Sequence, residues 1–234
     1  MTPAIAKFRR AVLKHHRSSD RDFPWRSETD PFRVLIAEVM LQRTRGEHVQ
    51  PVYLRFLKRW PTPTALSRAA VVDVANVLAP LGLPARASVM IRLARAVVEH
   101  GGVPLEPAEL ANLPGIGRYG AHAVPVFAAN CDLPLVDFVI ARVLRRYFGL
   151  PEGGRPSYDE ALWRLAADVA HRGRAREVWL GALDLGAQIC KPKPRCKRCP
   201  LRGDCSFAST VLTQATRPSS TESSPARKGR THVG

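Results

Sequence analysis

The sequence predicts an all-α fold, on three observations. Apolar residues recur at spacings of three and four nearly throughout, and proline and glycine punctuate the runs. Neither short alternating segments nor a βαβ rhythm or internal repeat is present. Ile5, Phe8, Val12 and Leu13 give an amphipathic first helix. Phe23-Pro24-Trp25-Arg26 reads as a loop, with Pro24 as a breaker and the aromatics as anchors. Asp30-Pro31 is a cap and first-turn pair, after which Val34, Leu35, Val39 and Leu41 belong to a mostly apolar helix. Further helices are expected over about 48–59, 70–78 and 85–99, separated by Pro61, Pro63, Pro80 and Pro84. After Gly101-Gly102 come a short helix near 107–111, a glycine hairpin and a helix over about 118–129. Helices near 138–147, 158–170 and 175–188 lead into a cysteine loop. The stretch 208–234, rich in Ser, Thr, Pro, Arg and Gly, cannot bury enough apolar surface to fold alone and is expected to be a disordered basic tail that attracts phosphate weakly, or a frayed terminus.

A chain of 234 residues can bury one sizeable core or two small ones. Its 36 Lys and Arg against 20 acids leave a net charge of +16. That balance favours a polyanionic partner, because each phosphate neutralised releases condensed counterions. There is no uncharged run of the ~18 residues that a membrane-spanning helix needs. The N-terminal MTPAIAKFRRAVLKHHR is too charged for a signal-peptide core. A cytoplasmic protein on or near DNA is the expectation.

Leu113-Pro114-Gly115-Ile116-Gly117-Arg118-Tyr119-Gly120 lies between two helices. Pro114 stops the first, and two glycines permit positive φ and close backbone approach. The second helix then begins with unpaired N–H groups and a positive dipole end, an anion site suited to a DNA phosphate without sequence preference. A tight helix–helix turn with no ligand is the alternative.

Five cysteines are present, four of them in Cys190, Cys196, Cys199 and Cys205, a C-x5-C-x2-C-x5-C run. In a reducing compartment such crowding argues for metal rather than disulfides. Structural zinc usually takes two C-x2-C knuckles, and only one is present. Wider separations suit a larger object, so an iron–sulfur cluster is favoured over zinc or free thiols. Lys191, Lys193, Arg195, Lys197, Arg198 and Arg202 punctuate the loop and would present cations to phosphate. Cys131 stands apart and is expected to be buried as a small hydrophobe.

With hairpin and cysteine loop in this order, residues 20–206 resemble the endonuclease III superfamily of helix-hairpin-helix, iron–sulfur DNA glycosylases. The carriers are Phe23-Pro24-Trp25-Arg26, Ala37-Glu38-Val39-Met40-Leu41-Gln42-Arg43-Thr44, the hairpin, Val136-Asp137, and Asp184-Leu185-Gly186-Ala187-Gln188-Ile189-Cys190. The cysteine spacing departs from the family's C-x6-C-x2-C-x5-C by one residue. The lyase branch carries a Schiff-base Lys in the hairpin helix, and the matching position here is Tyr119. The adenine-excising branch shares the FPWR and Glu-Val-Met-Leu-Gln segments but carries a further C-terminal domain, for which no length is expected after Cys205. Its Gly-Leu-Gly-Tyr-Tyr segment is replaced by Gly82-Leu83-Pro84. The thymine–guanine mismatch branch has a Tyr in the hairpin helix and an Asp eighteen residues later, which are Tyr119 and Asp137 here. Arg43-Thr44, His48-Val49, Tyr53 and Arg146-Tyr147-Phe148-Gly149 are also similar to that branch.

The resemblance implies two helical domains with the site in the cleft between them. Residues 29–134 would form a six-helix domain, facing a cluster domain built from 1–28 and 135–207. It implies a [4Fe-4S] cluster on the four cysteines and, as partner, double-stranded DNA holding a mismatched or damaged base, bound by a monomer. The implied reaction is base excision without strand cleavage, of thymine or uracil opposite guanine. The alternatives are adenine excision from A·G or A·8-oxoguanine pairs, and a non-catalytic DNA-binding module. A carboxylate at Asp137 would stabilise the positive charge that builds on the sugar, or serve only as an N-cap. Tyr119 would contact the extruded base or deoxyribose. Glu38 would bond the base edge, or pair with an Arg. Gln42 and Arg43 would lie at the gap left in the duplex, or Arg43 would be a solvated surface residue. Leu113, Gly115, Gly117 and Arg118 would hold the backbone.

Overall fold

The computed structural model of the chain describes residues 2–170 and 173–215. Among these residues every regular element is helical. Thr2 caps α1 (Pro3–Arg17), its hydroxyl accepting from the Ile5 amide at 3.4 Å. A single 3-10 turn, Pro24–Arg26, follows. Asp30 accepts from the Phe32 amide at 2.8 Å and starts α2 (Pro31–Leu41), as its sequence promised. Then come α3 (Gly46–Arg59), α4 (Pro63–Ser67), α5 (Val71–Leu78), α6 (Arg86–Glu99), α7 (Pro107–Leu110) and α8 (Arg118–Ala129). The chain continues through α9 (Phe138–Phe148), α10 (Glu160–Ala170), α11 (Ala175–Gln188) and α12 (Ser206–Ala215).

Two helices differ from the expectation. Pro61 and Pro63 read as loop punctuation, but Pro63 occupies the first turn of α4, where its missing N–H costs nothing. Thr62 caps it, accepting from Ala65 at 3.2 Å. The tail expected from 208 begins inside α12, which runs to Ala215; the rest of that tail, 216–234, lies outside the described residues.

Helix α2 packs on α3 and α8, while α4 and α5 pack on α6 and α7 on α8. In a second group α1 lies along α11, and α11 packs on α9, with α10 and α12 beside them. The groups meet where α11 touches α8. Small residues permit the closest approaches. A Cβ on Gly181 would collide with the Val12 carbonyl of α1, and one on Gly186 with Val139 at the start of α9.

A buried carboxylate ties the N-terminal segment to this second group. Asp184 on α11 is fully buried and takes a two-pronged bond from the Arg26 guanidinium, with Arg21 Nε at 3.5 Å and His16 Nδ1 at 3.7 Å. Burial acts to raise its pKa, but bonds from His16 and Arg26 overcome it and hold the group at about 2. Phe23 and Trp25 stack with centroids 4.9 Å apart, and Trp25 meets Tyr53 of α3 edge-on. The aromatics of the FPWR segment are therefore anchors, as read, while Pro24 begins a 3-10 turn where a loop was expected.

Candidate active site and nucleic-acid interface

The segment before α9 is pinned along its length. Asn130 closes α8 in a left-handed conformation, φ 55°, and its Nδ2 donates to the Gly173 carbonyl at 3.1 Å. The Gly173 amide donates to Asp132 at 2.5 Å, and Trp179 Nε1 donates to the Leu133 carbonyl at 2.9 Å. Leu135 and Val136 then bury their side chains. This fixes Asp137, which caps α9 by accepting from the Ile140 amide at 2.6 Å. Capping is thus observed, and it uses one oxygen, Oδ1. Cys131, expected in the core, is only half-buried, because it follows the αL turn that ends α8.

Glu38 projects from the third turn of α2, and Tyr119 from the first turn of α8, the helix on which α2 packs. These two and Asp137 share one environment. Burial, and then the Asp137 charge, pushes Glu38 up to about 8. Burial, then Glu38 and Asp137, pushes the Tyr119 phenol well up. Burial also raises Asp137, opposed by amides of Ile140 and Val139 and by the Arg142 charge. Each of the three is partly buried. Helix α9 offers its N-terminal amides to Asp137, whereas Glu38 faces only burial and a like charge. The two acids are thus held differently: only at Asp137 do backbone amides and a cation favour the charged form against burial.

The hairpin's two glycines have different reasons. Gly115 adopts φ +82°, and a Cβ there would stand 2.6 Å from Val89 Cγ1 of α6. Gly117 is extended and does not use the positive φ open to it, and a Cβ on it would meet nothing within 4 Å. Its bareness keeps open the space in front of the α8 N-terminus, where the first amides lack helical partners. Leu113 and Ile116 are buried beneath. Arg118 is partly exposed, and its guanidinium is engaged within the protein. It pairs with both oxygens of Glu160, donates to the Ser157 carbonyl at 3.1 Å and stacks over Trp163 at 4.1 Å.

Gln42 caps the end of α2, with Nε2 donating to the Gly115 carbonyl at 3.4 Å, so the loop after α2 adjoins the hairpin. Arg43 is exposed and holds φ +62°, a conformation that a non-glycine residue adopts at a cost of about 1–3 kcal/mol. Three arginines that the sequence did not mark organise this ground. Arg86 donates to the carbonyls of Val39 at 2.7 Å and Gln42 at 3.0 Å. From α9, Arg142 donates to Cys190 and Gly186 carbonyls at 2.8 and 3.2 Å, and Arg145 pairs with Asp159 at 2.7 Å.

Cys190, Cys196, Cys199 and Cys205 line one cavity together with Arg146, Ile189, Pro194, Phe207 and Ala208. Arg146 Nη1 lies 3.6 Å from Cys190 Sγ and donates to the Lys191 carbonyl at 2.7 Å. Among the described residues no three His, Cys, Asp or Glu side chains are grouped to hold a single metal ion. Four soft donors around one gap, with a guanidinium beside them, fit a group larger than one ion. No helix is long and apolar enough to cross a membrane among the described residues.

Comparison with known proteins agrees with this geometry. Residues 36–167 match the family described as "HhH-GPD superfamily base excision DNA repair protein". The chain is 36% identical over 203 residues to the thymine/uracil-DNA glycosylase of Pyrobaculum aerophilum, covering 83% of this chain and 88% of that one. It is 35% identical over 195 residues to the adenine DNA glycosylase of Mycobacterium tuberculosis, covering 81% of this chain and 64% of that one. A solved thermostable thymine-DNA glycosylase superposes with a TM-score of 0.82 at 33% identity, over 88% of this chain and 97% of that one. An endonuclease III–DNA complex superposes with a TM-score of 0.72 at 22% identity, a likeness of fold. The match spans the Glu38 helix, the hairpin and the Asp137 cap together, and on these grounds the chain belongs to the HhH-GPD superfamily of base excision DNA repair proteins.

Proposed function

We propose that this protein is a monofunctional DNA glycosylase that hydrolyses the N-glycosidic bond of thymine or uracil opposite guanine. The observation that carries this reading is that two acids, Asp137 and Glu38, and a phenol, Tyr119, lie close enough beside the hairpin to shift one another's ionisation. As the bond between C1′ and the base nitrogen breaks, positive charge builds on the sugar. The Asp137 carboxylate faces that charge and orients the water that attacks C1′. Glu38, holding its proton, donates a hydrogen bond to a carbonyl oxygen of the extruded pyrimidine. Tyr119, near both acids in the hairpin helix, has no amine for a Schiff base, so the product is an intact abasic strand.

Phosphates would be held by the N-terminus of α8 behind Gly115 and Gly117, with Gln42 and Arg43 filling the gap left by the base. A [4Fe-4S] cluster bound by Cys190, Cys196, Cys199 and Cys205 would cross-link the basic loop to α9 through Arg142 and Arg146. The net charge of +16 suits a monomer that binds duplex DNA in the nucleoid. The thymine and uracil named for the Pyrobaculum relative favour a pyrimidine.

The test is a panel of duplexes holding T·G, U·G, A·G, A·8-oxoguanine and oxidised pyrimidines, each incubated with protein and split into samples with and without alkali. Release from T·G and U·G, with breakage only after alkali, is the expected result. Excision confined to the adenine duplexes, or breakage without alkali, would overturn it.

A further inference from the structure

The first turn of α6 is not part of either DNA-gripping loop, yet it touches both. Arg86, the first residue of α6, spends one side of its guanidinium on the Val39 carbonyl at 2.7 Å and the other on the Gln42 carbonyl at 3.0 Å. These carbonyls lie in the last turn of α2 and at its cap, where no helical amide reaches them. One turn further, Val89 lies where a side chain on Gly115 would have to go. Gln42 closes the triangle by donating to the Gly115 carbonyl. The next residue, Arg43, is exposed and held at φ +62°. Its charge also reaches Arg86, whose pKa is lowered by burial first and by Arg43 second. A strained loop persists only when its surroundings over-determine it. Here the surroundings are a planar fork with two donors fixed at the angle the two carbonyls require, which an ammonium cannot reproduce.

We infer that Arg86 is a positioning residue that locks the Gln42–Arg43 loop in register with the hairpin, so that the loop can fill the duplex gap when a base is extruded. This rests on the proposed glycosylase reading. It differs from a general cationic role, because the fork is turned to backbone carbonyls rather than to solvent.

The experiment compares wild type with Arg86→Lys, Arg86→Gln and Arg86→Ala on two duplexes. One holds thymine opposite guanine. The other holds thymine opposite a tetrahydrofuran residue, where no pair has to be opened and no orphan base remains. Single-turnover thymine release is measured on both, and 2-aminopurine placed beside the thymine reports extrusion by its fluorescence. All three variants, including the charge-conserving Lys, should lose about tenfold or more on T·G, the scale of one or two hydrogen bonds. They should lose little on the tetrahydrofuran duplex, and the fluorescence rise should shrink on T·G alone. Wild-type behaviour of Arg86→Lys, or equal losses on both duplexes, would overturn the inference. Where one variant melts early, the remaining two carry the same comparison. Failure of wild type to release thymine from either duplex would instead refute the glycosylase reading, and the fluorescence would still read the loop.

Discussion

Replacing Glu38 by glutamine should stabilise the protein, and by more as the pH rises. The amide keeps the shape of the carboxyl but never ionises. Burial and the nearby Asp137 raise Glu38 from 4.5 to about 8. Between these two values the folded protein keeps the proton and the unfolded chain has lost it. Stability is therefore fully present below 4.5 and is lost as the pH climbs toward 8. A shift of that size carries roughly 5 kcal/mol between the two protonation states. Because part of the Glu38 surface still reaches solvent, screening reduces this to about 1–3 kcal/mol. For a chain of this length that is a gain of about 3–10 °C in Tm. Thermal melts of wild type and Glu38→Gln at pH 5, 7 and 9 should show a difference that is small at pH 5 and largest at pH 9. A gain that is constant with pH, or that shrinks as pH rises, would refute the burial and charge coupling assigned to this pocket.

Other outcomes follow from the same geometry. Gly115→Ala should cost about 1–3 kcal/mol in a denaturant titration, since it forces a side chain at positive φ against Val89. Gly117→Ala should melt like wild type yet bind every duplex more weakly in a salt-controlled titration, because its methyl enters the space before the α8 amides. Asp184→Ala should lose about 3–5 kcal/mol, as it leaves Arg26 buried without its partner. The wild-type contribution of Asp184 is present above pH 3.8 and disappears as the pH falls through about 2. Anaerobically purified protein should carry about four iron per chain and absorb broadly near 400 nm, and stoichiometric zinc without iron would contradict the assignment to the four cysteines.

Local rules made most of the helices legible. Asp30-Pro31, Asp137 and the Gly115-Ile116-Gly117 turn each announce a helix start through chemistry contained in a few neighbouring residues. The same rules miss α4, because a proline that begins a short helix and one that separates two helices look alike until the chain is packed. Pairings across the chain were not legible. Arg118 reads as a free cation at a phosphate site, but its partner Glu160 is 42 residues away and Trp163 lies on the same helix as Glu160. Arg86 looks like any basic residue in a helix of mixed character, and its role comes from carbonyls 44 and 47 residues earlier. Glu38 was legible as a costly charge on an apolar helix. That burial and a like charge oppose its ionisation, while amides of α9 favour that of Asp137, required the packing of α2 on α8 and the start of α9.

Asp137 both caps α9 and, in the proposed reaction, supplies the charge that faces the sugar, and asparagine separates the two roles. Asn caps a helix about as well as Asp, so Asp137→Asn should melt close to wild type and bind the mismatch unchanged. Removing one positioned electrostatic group costs about 10²–10³ in rate. The decisive measurement is the single-turnover rate of thymine or uracil release opposite guanine by Asp137→Asn beside wild type. The rate is predicted to fall by that factor in a folded, DNA-bound variant; release at the wild-type rate would show that Asp137 is a helix cap and that the chemistry lies elsewhere.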